Sequence, residues 1–297
     1  MPDPIPSCFF GDAHLGRGKE AQNLVTCMYQ TKLAGHCRLL TVTWCKNATG
    51  QDLSVSVDDP LDQSVCKIDL KPWCFWKKQG SKGFEVNGTK VQVCWDLCSA
   101  KFCGPEPQEG YYVAVVCEED LILLLGDMKK EALRKTKARP SIIEATLVSR
   151  KEHVFGKKYF TTRTRLDEAQ SQPHEISIEC QTTGPRDPEM SIRIDGKVVV
   201  NVKRLLWKFR GNQTINLSGA PVQVFWDVHD WLFNPGLGHA LFIFKRICSS
   251  SVPEKSTAQD SSSNDASMKF ASCASTEGRN LGNSSAYCLL LYAWKLN

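Results

Sequence analysis

The residues best equipped for chemistry lie in one run, Trp226-Asp227-Val228-His229-Asp230-Trp231. A histidine with carboxylates two positions before it and one after it has the parts of a general base and its orienting partner. On a strand, residues two apart share a face, so Asp227 and His229 would meet. His229 with Asp227 or Asp230 is therefore the candidate catalytic set of a hydrolase-type enzyme. The competing reading is structural, because an Asp ending a strand often accepts bonds from nearby backbone amides. The same Trp-Asp pair occurs earlier as Trp95-Asp96, with Cys98 and Ser99 where His229 and Asp230 stand. No GxSxG or HExxH run accompanies the histidine, and Phe155-Gly156-Lys157-Lys158 lacks the glycine spacing of a phosphate loop. Cys94, Cys98 and Cys103 contain no CxxC pair and no second half-site, so neither a metal nor a cofactor is expected.

The other chemistry on offer is electrostatic. From Asp127 to Asp167 there are twelve Lys or Arg against five Asp or Glu, an excess larger than the net +5 of the whole chain. Lys129, Lys130, Arg134 and Lys135 crowd one segment, and Arg150 and Lys151 form a second group. Such a connector would attract an anionic surface or an acidic protein partner, with nucleic acid less favoured. Its bland counterpart is a solvated face with acidic neighbours. Trp76, Trp95, Trp207 and Trp226 recur by position and read as core residues. Trp231 has Ala100 as its counterpart, so it is the tryptophan expected at the surface as part of a binding site.

These residues are positioned by strands. Val91, Val93 and Trp95 alternate with polar neighbours after Asn87-Gly88, and Val222, Val224 and Trp226 do so after Ser218-Gly219. Alternation with a tight-turn dipeptide reads as a hairpin. Trp76 to Phe102 matches Trp207 to Phe233 without a gap, which predicts an internal repeat. The clearest hairpin is Met190 to Val202 around Asp195-Gly196. Gly238 to Phe244 resembles Gly110 to Val116. Asp127 reads as the N-cap of one short basic helix from Met128 to Lys137, stopped before Pro140, and Ile143, Ala145 and Leu147 begin a further strand.

The 297 residues suit about two domains. No apolar run approaches a bilayer span of roughly 20 residues, and the first residues do not read as a signal peptide. A cytoplasmic or nuclear protein with reduced cysteines is therefore expected. The fold class is all-β, a tandem internal repeat of antiparallel sandwich or barrel units. The expected divisions are a loosely ordered segment 1–22, a first β unit 23–126, a basic connector 127–155 and a second β unit 156–297. The Ser-rich stretch 249–285 reads as a disordered insertion.

The runs VQVCWDL, GPEP, GYYVAVV, LLLGDMKKEA, LVSRKEHVFGKK, WKFRGNQT, VQVFWDVHDWLF and LYAWK carry a resemblance. At these the chain is similar to a plant family known as a domain of unknown function. The resemblance covers nearly the whole chain outside the Ser-rich stretch and the first residues. It implies a plant origin and a soluble, intracellular protein, and it brings no activity, cofactor or catalytic residue. The function expected from the residues is that of a non-catalytic binding protein. The alternatives are the His229 hydrolase and a small-molecule or lipid carrier built on a hollow barrel.

Overall fold

The computed structural model describes residues 23–33, 35–47, 50–58, 65–70, 78–86, 88–140, 145–156, 158–166, 173–181, 187–234, 238–247 and 287–295. Trp76, Asn87, Ile143, Lys157, the segment 1–22 and the Ser-rich insertion lie outside them. Ten strands come first: β1 (Asn23–Leu33), β2 (His36–Asn47), β3 (Gly50–Asp58), β4 (Val65–Leu70), β5 (Gln79–Val86), β6 (Thr89–Asp96), β7 (Lys101–Phe102), β8 (Pro107–Glu109), β9 (Tyr112–Cys117) and β10 (Asp120–Gly126). Helix α1 (Lys129–Thr136) follows. Then come β11 (Arg139–Pro140), β12 (Thr146–Gly156), β13 (Tyr159–Thr164), β14 (His174–Gln181), β15 (Glu189–Ile194), β16 (Lys197–Val202), β17 (Arg210–Leu217) and β18 (Ala220–Asp227). A short helix α2 (His229–Phe233), β19 (His239–Arg246) and β20 (Cys288–Lys295) complete the described chain. The protein is all-β, as its alternating sequence requires.

One long sheet carries the rest. Its nine strands run β17-β18-β19-β20-β12-β1-β2-β3-β4. β12 joins its two wings, antiparallel to β1 and parallel to β20. A five-stranded sheet, β11-β10-β9-β6-β5, packs on one wing, and a four-stranded sheet, β13-β14-β15-β16, packs on the other. The first core holds Val42, Trp44 and Val55 against Val93, Trp95 and Val115. The second holds Ile176, Ile178 and Ile192 against Val224, Phe242 and Leu291. Both cores lie on the same face of the long sheet: Cys27 of the first core is opposite Arg150, which is opposite Leu289 of the second. The sheets are stacked layers with open edges, and large side chains such as Trp44, Phe242 and Phe244 fill the space between them. This is sandwich packing, and the hollow barrel expected of a carrier is not the architecture.

The two hairpins read from the sequence have equivalent geometry. β5–β6 and β17–β18 start 131 residues apart, and Gly80 faces Trp95 as Gly211 faces Trp226. In each pair the indole covers the glycine, so a Cβ there would sit 3.0 Å from the Trp95 ring or 2.3 Å from the Trp226 ring. The next strand departs from the reading. Trp95 pairs with Val113 and Trp226 with Phe242, so Val113 is the counterpart of Phe242, one position on from the Gly110–Gly238 alignment. The Asp195-Gly196 turn has both residues at positive φ, 50° and 77°, the conformation that a two-residue hairpin loop demands.

Helix α1 differs from expectation at its start. Asp127 does not cap it; its Oδ1 accepts the Gly110 and Tyr111 amides at 2.8 and 3.1 Å. Met128 is the N-cap and makes no side-chain bond. The helix is held by Met128, Ala132 and Leu133, which cover Cys94, Tyr112, Ala114 and Val116 on the outer face of the five-stranded sheet. It ends at Lys137, whose φ of 54° is a left-handed C-cap.

Candidate functional site

β12 lies between the two wings of the long sheet, where the five-stranded and four-stranded sheets leave a cleft. Elsewhere the inner face of the long sheet is mostly apolar, with Thr31 and Arg38 buried on it and Gln213 exposed at its β17 edge. On β12 that face carries Arg150 and Glu152, and between the two upper sheets a cleft of about 1220 Å³ opens above them. One wall is Tyr29, Tyr111 and the Cys103–Gln108 loop; the other is β13 with Arg165 and Glu175. The loop is the GPEP run. Its Gly104 carbonyl is held by the Gln51 amide at 3.2 Å, and β8 pairs back on β7 through Lys101 and Glu109, which form a 2.6 Å ion pair. Two prolines restrict the loop backbone and aim Glu106 into the cleft.

The floor is an ion triad. Arg150 donates from Nη1 to Glu106 Oε2 at 2.8 Å and from Nε to Glu152 Oε1 at 2.5 Å. A third contact runs from Nη1 to Cys27 Sγ at 3.4 Å. Burial works against the Arg150 charge, and the two carboxylates outweigh it and raise its pKa well above the ordinary value. Burial also pushes the Cys27 thiol up to about 11, against the pull of Arg150, so it is a protonated, unreactive group. The Tyr29 and Tyr111 phenols are likewise raised, first by burial and then by the negative groups around them. Nearby, Thr164 Oγ1 and the Tyr287 hydroxyl share a 2.5 Å bond under the β13 wall. With one guanidinium and two carboxylates, the floor is net negative. It offers hydrogen-bond groups and no nucleophile.

The basic residues read from the sequence do not form one patch. Lys129, Lys130, Arg134 and Lys135 are exposed on α1, above the five-stranded sheet. Arg134 is paired with Glu131 at 2.6 Å, and Arg139 with Glu119 at 2.5 Å. Arg150 is not a surface cation: its side chain is 15% exposed and fixed in the cleft floor. Lys151 points to the opposite face of the long sheet, with Nζ 5.8 Å from the Tyr292 ring. There His153 stacks on Tyr292 at 4.9 Å, accepts the Trp294 indole N–H at 3.3 Å and lies beside His239. Burial, then Lys151 and His239, lowers the His153 pKa to about 4.

The tryptophans reverse two expectations. Trp231 is 1% exposed and belongs to the second core, because α2 turns its apolar side inward against β19. Trp207, read as core, is 80% exposed in the turn before β17. His229 opens α2 instead of continuing a strand, so the strand argument that joined it to Asp227 does not apply. Asp227 Oδ1 accepts the His229 backbone amide at 3.0 Å and Oδ2 takes Arg210 Nε at 2.7 Å. Asp96 accepts the Cys98 amide at 3.0 Å in the same way. The His229 imidazole meets its neighbour Asp230 at 3.0 Å and packs between Phe209 and Phe233. His229, Asp227 and Asp230 are not among the residues lining the cleft.

Sequence reasoning missed Glu106, Glu152, Tyr29, Tyr111 and Cys27 as cleft residues. A usable signal existed: Arg150 and Glu152 sit two apart in a strand whose flanks, Leu147-Val148 and Val154-Phe155, are apolar. Among the described residues no group of three His, Cys, Asp or Glu is placed to hold a metal, and no helix is long and apolar enough to cross a membrane. No curated protein and no solved structure matches the chain. A family model does match, over residues 20–295, which is nearly its whole length. The chain therefore belongs to the family described as plant protein of unknown function (DUF868).

Proposed function

We propose that this chain is a non-catalytic binding protein and that the cleft over β12 is its binding site. The observation that carries this reading is the charged floor. A buried, ion-paired triad of Arg150, Glu106 and Glu152 lies at the base of a polar cleft, between the two apolar cores of the long sheet. The neutral Cys27 thiol and the Tyr29 and Tyr111 phenols around it suit recognition better than turnover. We also read the chain as a duplicated sandwich, with 23–126 and 156–297 as its copies. The shared register of β5–β6 and β17–β18 supports that reading. The cysteines of the described residues form no disulfide with one another, which suits a reducing compartment, the cytosol and/or nucleus.

The test is thermal stabilisation of the full chain by three ligand panels: neutral oligosaccharides, phosphorylated small molecules and linear peptides. A ligand at 100 times its Kd adds about 2.7 kcal/mol. The shift must vanish in Thr161→Trp, which sets an indole at the β13 rim of the cleft. No shift from any panel, or shifts that survive Thr161→Trp, overturns the reading.

A second reading keeps α1 as a contact for an anionic surface, because Ala132 and Leu133 anchor the helix and leave Lys129, Lys130 and Lys135 in solvent. Retention on heparin and on anionic liposomes across a salt series tests it. It is wrong if changing Lys129, Lys130, Arg134 and Lys135 to Glu leaves retention untouched.

A further inference from the structure

We infer that the cleft is a slot for one extended peptide segment of a partner protein, which pairs with the open edge of β13 and completes the upper layer. This rests on the cleft being the binding site and adds the class of ligand. β13 is the edge strand of its sheet, bonded to β14 alone among the described strands. The direction of its free groups follows from the register. Cys180 N donates to Lys158 O at 2.8 Å, so Lys158 and Cys180 are a bonded pair. Bonded pairs alternate in an antiparallel ladder, which makes Phe160, Thr162 and Thr164 the residues that bond β14. Thr161 and Arg163 therefore turn their N–H and C=O groups away from β14, and both residues line the cleft.

Edge strands are usually blunted by proline, a bulge or very short length. The edge strand β11 is two residues long and contains Pro140, and β16 pairs with β15 through a register shift; of the described edge strands in unbroken register, β4, β5, β13 and β17, only β13 lines the cleft. β13 runs six residues in unbroken register and has no proline. A strand laid beside it would span about 20 Å at roughly 3.3 Å per residue. Its side chains would alternate. Those pointing down meet the net negative floor of Arg150, Glu106 and Glu152, and those pointing up lie beside Arg163 and Arg165. The fitting segment thus carries a lysine, arginine or amide side chain toward the floor. Main-chain bonds would supply affinity and the floor would supply selectivity.

The experiment pans the full chain against a library of random linear dodecapeptides and measures the Kd of enriched peptides by fluorescence anisotropy. Thr161→Pro removes an outward N–H, a position where an edge strand tolerates proline. Strand addition requires at least a tenfold loss of affinity in Thr161→Pro. It also requires a tenfold loss when alternate peptide residues are N-methylated, with little effect at the residues between. The N-methyl series uses the unaltered protein, so it decides the matter even if Thr161→Pro misfolds. Absence of enriched peptides overturns the inference, as does equal binding by Thr161→Pro or an N-methyl series without alternation. Concentration-dependent dimers abolished by Thr161→Pro would overturn it in favour of a second copy. In each of these cases the cleft reading survives if oligosaccharides or phosphorylated molecules still give a shift that Thr161→Trp removes.

Discussion

Replacing Arg150 with methionine keeps most of the side-chain stem and removes the guanidinium between two carboxylates. Glu152 is 6% exposed and Glu106 is 29% exposed, so the loss falls mainly on Glu152. Removing one partner from a fully buried pair costs about 3–5 kcal/mol. Water in the open cleft reaches Glu106, which brings the expected cost down to roughly 2–3 kcal/mol. For a unit of this size that lowers the thermal midpoint by about 5–10 °C. Glu152→Gln in the Arg150→Met background should restore most of the loss, because it removes the buried charge left without a partner. Urea unfolding of the parent and the two variants at neutral pH measures both effects. If Arg150→Met stays within about 0.5 kcal/mol of the parent, the floor is not held by charge pairing and the reasoning fails.

Two further outcomes are expected. Gly211→Ala should cost roughly 2–3 kcal/mol, because its Cβ would lie 2.3 Å from a Trp226 ring fixed by an indole bond to the Lys208 carbonyl; Gly80→Ala, at 3.0 Å from Trp95, should cost under about 1 kcal/mol. Equal urea midpoints for the two would contradict the packing argument. His153 should give the protein an acid-sensitive shoulder. Its pKa is lowered by burial to about 4, so its contribution is full above pH 6.5 and about 3 kcal/mol is lost as pH falls toward 4. A His153→Phe protein that loses stability in parallel with the parent across that window would refute this.

The hairpins were legible because their signals are local. Asp195-Gly196 with alternation on both arms specifies a turn and a register within a dozen residues, and Met190 and Val202 pair across it. The short basic helix was legible for the same reason, though its cap was not: Asp127 faces a choice between α1 and the Gly110 loop that only their spatial order resolves. Trp231 was misread because its role depends on α2, a five-residue helix too short to leave a periodic pattern. Trp207 is exposed because a repeated position in sequence does not fix an environment, and this one lies in a turn at the surface.

The sequence by itself determined the strands, their inward faces and the matching hairpins, because side-chain parity along a strand is fixed by the pleat of the backbone. It left open how the strands were shared among layers. Only the tertiary structure placed β12 between β1 and β20, the strands that begin and end the described chain. That placement turned Arg150 from one of a dozen cations into the floor of a cleft. Charge runs and alternation are properties of neighbours in sequence. A gap in a layer belongs to strands that meet only when the chain has folded, so no stretch of sequence contains it.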